Sequence, residues 1–218
     1  MKNQGVERVV LARETPIEII QQACQMGVEI EVFTYGAICI SYSGQCMMSA
    51  SVKNRSANRG MCAQCCRLKY TRVDGSHFKE GDYILSPKDL NVIDQLPSLL
   101  DAGVSSLKIE GRMKRSEYVY LVIKTFREAI DAYYANKTYH VSSERLKQLE
   151  EMFYRGFSNG HLFHDDVTQR MSQYRPNHQG IAIGKVLAYR NGRVQVKLSD
   201  DLYQNDGLRI INEPHDTG

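Results

Sequence analysis

No stretch of this sequence reaches the roughly 18 consecutive apolar residues of a membrane-spanning helix, so nothing in it reads as a transmembrane segment. The opening residues Met1-Lys2-Asn3-Gln4-Gly5-Val6-Glu7 lack the apolar core of a secretory signal, which points to the cytoplasm. Charge of one sign is also lacking in excess. Lys plus Arg number 28 and Asp plus Glu 25, a net +3, so global charge does not argue for nucleic acid and a local patch would have to. Neither Gly-x-Ser-x-Gly nor His-Glu-x-x-His occurs. With 218 residues, 42% hydrophobic and 24% charged, disorder and fibre are excluded and one large domain, or one domain and part of another, is expected.

What the sequence does have is a local pile of cysteine. Five of its 6 cysteines lie between Cys39 and Cys66, spaced Cys39-x6-Cys46-x15-Cys62-x2-Cys65-Cys66. Away from a secreted context, such clustering points to metal or redox chemistry rather than a disulfide framework. Six residues between the first pair are too many for a typical zinc knuckle. Iron–sulfur clusters accept wider spacings, and Gly36 and Gly44 stand where backbone must approach a ligand closely. Iron–sulfur, zinc and plain thiols all stay open on spacing, as does the choice between Cys65 and Cys66. Cys24, one turn after Ile20, reads as core. Around the later cysteines, Lys53, Arg55, Arg59, Arg67, Lys69 and Arg72 occur with no acid between residues 51 and 73. This is either an RNA-phosphate patch or compensation for thiolate charge, and Tyr42 and Tyr70 are aromatic neighbours that could stack a base.

Along the chain, strands are predicted at 7–14, 29–33, 82–85 and 105–109. Capping boxes Thr15-Pro16-Ile17-Glu18 and Ser86-Pro87-Lys88-Asp89 would open the first two helices, the second interrupted at Pro97. A helix capped by Ser116 carries Val119, Val122, Ile123, Phe126, Ile130 and Tyr133 on one face, and another spans 143–154. Alternating strand and helix argues for a parallel sheet, either open or half of an eight-stranded barrel. Residues 155–179, with His161, His164 and His178, read as a connecting loop whose histidines, like His140, belong at the surface. From Gly180 a hairpin turns at Asn191-Gly192, and Asn205-Asp206-Gly207 turns into a further strand at Leu208–Ile211. Strand ends gather Arg13, Glu14, the Cys39–Cys46 loop, Ser86, Lys88, Asp89, Glu110, Arg112 and Lys114 on one face, as in α/β enzymes. Capping already accounts for Ser86 and Asp89. Glu110 and Arg112, then Lys88, are the candidate catalytic residues.

Glu31–Ser49, Asn58-Arg59-Gly60-Met61-Cys62, Cys66-Arg67, Leu85–Leu90 and Lys108–Lys114 together resemble the signature of the peptidase U32 family, the collagenase-like proteases, over about residues 5–210. Within it the chain is most similar to the bacterial branch that hydroxylates the tRNA wobble uridine with prephenate. Sister branches hydroxylate ribosomal RNA or the ubiquinone ring. The resemblance implies a 4Fe-4S cluster on Cys39, Cys46, Cys62 and Cys66, with Cys65 left over, and tRNA or other RNA as partner. It also implies the C-terminal half of a (β/α)8 TIM-like barrel over 1–140, a helix and connecting loop at 141–179, and an incomplete small β-barrel domain at 180–218. Half a barrel would expose apolar surface, to be covered by a second copy in a homodimer, by the cysteine loop or by residues 155–179. A collagenase-like protease or a non-catalytic fragment are the alternatives.

Overall fold

The computed structural model describes residues 2–79, 81–136 and 139–211. The chain divides into two compact units, Met1–Gly180 and Ile181–Gly218.

The first unit is built on β2 (Glu29–Ala37). Strands β1 (Arg8–Val10) and β4 (Ser106–Ile109) run parallel to it, sharing Glu31 as a partner from opposite sides. The third strand is not at 82–85 but at β3 (Asp89–Asn91), and it runs antiparallel to Tyr35–Ala37. The sheet is therefore mixed, not parallel throughout. A short β5 (Phe157–Ser158) pairs parallel with β3. Ile30 and Val32 of β2 are buried in alternation, and then Thr34, Tyr35 and Gly36 are buried consecutively. The register shift between Phe33 and Tyr35 resets the alternation. One extra residue sends every later side chain to the other face. Ile30 and Val32 accordingly pack with Ile20, Leu90, Val92, Leu99 and Leu162, whereas Tyr35 packs with Leu96, Tyr118, Val122, Phe126 and Leu149.

Helix α1 (Ile17–Cys24) starts after Pro16 without a side-chain cap. The Thr15 box does not close, because Thr15 N–H turns back to Ala12 O and Glu18 reaches His164 instead. Cys24 packs against the first cluster, as expected of a core thiol. After β3, a 3₁₀ turn and α3 (Leu96–Asp101) replace the single helix expected from Leu90. Pro97 opens α3 rather than breaking a longer helix, a position where its missing N–H costs nothing. Helix α4 (Ser116–Asn136) buries Val122, Phe126 and Tyr133 of the stripe read from the sequence and half-buries Val119 and Ile130, with Val122 and Ala129 inaccessible; Ile123, expected on that face, is 52% exposed. Helix α5 (Ser143–Met152), truly capped by Ser142 accepting the Arg145 N–H, adds Leu149 to the same core.

Residues 155–179 are not a loose connector. Besides β5 they form α6 (Val167–Arg170), opened by an Asp166–Gln169 capping box, bury Leu162, and bridge Met171 to Pro87. This segment closes the β3 edge, as one of the expected covers would.

The second unit is a hairpin of β6 (Gly184–Arg190) and β7 (Arg193–Leu198). Asn191 and Gly192 both take positive φ, the type I′ geometry their sequence predicts. Residues 208–211 are not a strand. Among the described residues no helix is long and apolar enough to cross a membrane.

Candidate functional site: a cysteine loop beside a buried charge cluster

Where β4 ends, β2 continues alongside β3. Gly36, paired with Leu90, takes φ 101° there, and a Cβ on it would collide with the Glu110 carbonyl oxygen. Only glycine lets the two strands close so tightly. Beyond it runs the loop with Cys39 and Cys46. Glu14, just past β1, accepts the Ser43 N–H at 2.8 Å and the Ser43 hydroxyl at 2.9 Å. Burial pushes the Glu14 carboxyl up, but those bonds, its own backbone N–H and Arg13 outweigh it and hold the group below the usual range. Glu14 therefore anchors the cysteine loop rather than decorating a helix entrance.

Asn58 clamps the two cysteine segments together. Its Oδ1 accepts the Cys46 N–H and its Nδ2 donates to the Cys46 carbonyl, both at 3.1 Å. Between them α2 (Met48–Lys53) ends at Asn54 in the left-handed region, and Ser49 Oγ accepts the Ala63 N–H. Cys62 Sγ accepts the Gln64 N–H at 3.3 Å. The structure separates the adjacent pair that spacing could not. Cys65 is 3% exposed and belongs to the interior, its carbonyl taking the Tyr70 hydroxyl. Burial pushes the Cys66 thiol up; Arg67 opposes this, and Cys39 and Cys62 push it further up. Cys39, Cys62 and Cys66 thus share one neighbourhood, with Cys46 tied in through Asn58. Among the described residues no three Cys, His, Asp or Glu side chains converge closely enough to hold a single metal ion. Three neighbouring thiols, one accepting an amide N–H, and a fourth whose backbone is tied to their segment by Asn58 match in number and kind the donors a four-iron cube takes.

Behind the thiols lies a group of charges that the sequence did not reveal as one. Arg67 turns inward and donates from Nη1 to Ser86 Oγ at 2.8 Å and to the Pro87 carbonyl at 3.0 Å, and from Nη2 to the Ile38 carbonyl. Burial and Arg155 pull its guanidinium down to about 10, against Asp89, Cys66 and Cys39, so it stays a cation at neutral pH. Asp89 and Arg155, with side chains 4% and 8% exposed, form a bidentate pair. Ser86 and Asp89 are therefore not helix caps; the buried guanidinium groups claim them. Lys114 stands over the rings of Phe153 and Tyr118. Burial lowers it to about 8, opposed by Asp89 and assisted by Arg155 and Arg67. Tyr35 is 1% exposed, and its hydroxyl has no hydrogen-bond partner among the described residues. Burial, Tyr118 and Asp89 raise its pKa. Three cations gather around one carboxylate, so this buried cluster is positive on balance.

The other sequence candidates are scattered. Glu110 closes β4, with its N–H on Tyr35 O and its carbonyl taking the Tyr118 hydroxyl. Arg112 is exposed. Lys88 lays its stem against Gly156. Of the basic stretch, Lys53, Arg55, Arg59, Lys69 and Arg72 are exposed, and Arg67 is not among them. His161, expected at the surface, is half-buried; its ring lines a cleft of about 240 Å³ with Cys39, Tyr42, Pro87, Arg170 and Met171. The strongly polar composition of 155–179 hid it. Buried Arg155 was missed for the same reason.

The chain belongs to peptidase family U32, whose pattern matches residues 1–172. Among curated relatives it is 41% identical over 160 residues to tRNA hydroxylation protein P1 of Bacillus subtilis, covering 69% of this chain and 38% of that protein. It is 41% identical over 194 residues to a collagenase of Porphyromonas gingivalis (84% and 47%). It is 34% identical over 221 residues to the 23S rRNA 5-hydroxycytidine C2501 synthase of Escherichia coli (97% and 34%). The chain thus spans less than half the length of each. No solved structure matches it.

Proposed function

We propose that this chain carries the iron–sulfur-binding and RNA-facing portion of an enzyme that hydroxylates a pyrimidine in RNA, the tRNA wobble uridine being the first candidate, in the cytoplasm. Prephenate is the proposed co-substrate. The first unit is read as part of a (β/α)8 barrel on the parallel pairing of β1, β2 and β4, from which antiparallel β3 departs, and the second as part of a small β-barrel domain. The observation that carries the reading is the shared neighbourhood of Cys39, Cys62 and Cys66, clamped to Cys46 through Asn58, beside the exposed cations Lys53, Arg55, Arg59, Lys69 and Arg72. A bound 4Fe-4S cluster would supply electron-transfer or Lewis-acid chemistry. The chain's own residues would do the rest. Arg67, fixed by Ser86 and Pro87, would offset thiolate charge, and the positive cluster around Asp89 would add a field that favours an anionic reactant nearby. The collagenase name of some relatives favours hydrolysis instead, but no recognised protease motif occurs in the sequence to support it.

Anaerobic purification with iron and sulfide analysis tests the reading. About four of each per chain are expected, as a brown chromophore that Cys46→Ser removes and Cys24→Ala leaves intact. A colourless anaerobic protein with stoichiometric zinc, or equal loss from both variants, overturns it.

A further inference from the structure

The cleft between the cysteine loop and the 158–171 segment lies outside the charge cluster around Asp89. Its volume of about 240 Å³ is below the roughly 300 Å³ at which pockets for drug-sized molecules begin. That is room for one heterocycle and part of what bears it. Its walls are of two kinds. Ile38, Ile40, Pro87 and Met171 are apolar. Opposite chemistry comes from His161 and Arg170, whose Nη1 stands 2.6 Å from His161 Nε2. Burial first, then Arg170, lowers the His161 pKa, which leaves a neutral imidazole; Arg170 Nη1 also stands 2.8 Å from Nδ1, so the acceptor nitrogen faces the guanidinium and the ring's remaining group is an N–H donor. The Nε of Arg170 is buried without a hydrogen-bond partner among the described residues, a donor with nothing to give to. At the rim Tyr42 is 61% exposed, its ring tilted 45° to His161 with centroids 6.2 Å apart. An exposed tyrosine leaning over a half-buried pair of N–H donors, on an apolar floor, offers a ring face and an edge to hydrogen-bond at once.

We propose that this cleft receives a single pyrimidine base swung out of an RNA strand, with the base stacked on Tyr42 and its carbonyl oxygens met by the N–H donors of Arg170 and His161. The assignment rests on the RNA reading above and adds to it where the base sits. Enzymes that modify a base must take it out of its stack, and they hold it by the same two devices, ring stacking and edge hydrogen bonds. Cys39 lines the cleft, so a base there stands beside the proposed cluster. The exposed cations of residues 53–72 would track the neighbouring phosphates, which position a strand without reading it.

Photocrosslinking of the whole chain to a short RNA carrying one 4-thiouridine, followed by peptide mass spectrometry, decides this. Crosslinks in the peptides spanning 39–46 or 158–171 are expected. Tyr42→Ala should weaken binding of that RNA roughly tenfold, the scale of one lost base stack, while Tyr42→Phe retains it. Tyr42 is at the rim and exposed, so neither change threatens folding. Crosslinks confined to residues 53–72, with Tyr42→Ala without effect, would overturn the pocket and leave RNA binding standing. Absence of any RNA retention would sink both the pocket and the RNA reading. Displacement of the RNA by a proline-rich peptide that crosslinks to Tyr42 would put a peptide in the cleft and overturn the base.

Discussion

Asp89 is held by a guanidinium that has nowhere wetter to go. Replacing it as Asp89→Asn strands Arg155 as a buried charge, which costs about 3–5 kcal/mol when one member of such a pair is removed. Urea unfolding should show a loss of that size, and Asp89→Asn with Arg155→Met should recover much of it. A single-variant loss below about 1 kcal/mol would mean that the pair is solvated after all. Lys114 makes a second residue-scale case. Burial brings its pKa down to about 8 from the ordinary lysine value of 10.5, so the folded state disfavours the ammonium. Between those two values the unfolded chain binds more protons than the folded one, so the contribution of this group to stability rises with pH through that window. Acylation at pH 8 with a limiting amine reagent should mark Lys114 ahead of the exposed Lys53 and Lys69, as read by peptide mass spectrometry; equal labelling would contradict the shift. The sequence put Asp89 and Lys114 among the strand-end charges, but it read Asp89 as a helix cap and gave no sign of Arg155 as its partner. Ser86-Pro87-Lys88-Asp89 has the spacing of a capping box, and the partner that overrides it lies 66 positions away. Local pattern reports local bonds; a buried ion pair at long range leaves no periodicity.

Elements were legible in proportion to their length and apolar period. Helix α4 and the β6–β7 hairpin were readable because repeated hydrophobic spacing in one, and Asn-Gly in the other, each specify geometry without help from the rest of the chain. Strand β3 was not, since three residues contain too little alternation and its antiparallel pairing with β2 is a tertiary choice. The cysteine segments were legible as a constellation, and the sequence even placed the cations, but not that Arg67 turns inward while its neighbours stay out. That division has a measurable outcome. Neutralising Arg55 and Arg59 should reduce the slope of log binding against log salt by about 0.7 per lost phosphate contact on single-stranded RNA, or about 0.9 on a duplex. An unchanged slope would return these cations to thiolate compensation.

For the whole molecule, the two units differ in how they bury apolar surface. The first has two clusters and a covered β3 edge. The hairpin of the second leaves Val186, Leu187, Tyr189, Val194 and Leu198 each more than a third exposed. A two-stranded hairpin is marginal alone in water, and open strand edges with apolar faces recruit another chain. Light scattering at low micromolar concentration should therefore give a mass above that of one chain, falling on dilution; a concentration-independent monomer would refute self-association. At this scale the sequence pattern left open sheet and half-barrel equally open, because strand count does not say what closes an edge.

The pairing of Ala37 with Asp89 makes residues 38–88 an excursion that departs from the sheet and returns to the same rung. The five clustered cysteines, the exposed cations Lys53, Arg55, Arg59, Lys69 and Arg72, and Tyr42 all lie within it. Lengthening such an excursion at its tip costs only closure entropy, about 0.6 kcal/mol per doubling of its length, and leaves the register of β2 against β3 unaltered. Natural selection can therefore rewrite what this face of the protein recognises, by insertion or deletion, without renegotiating the scaffold beneath it.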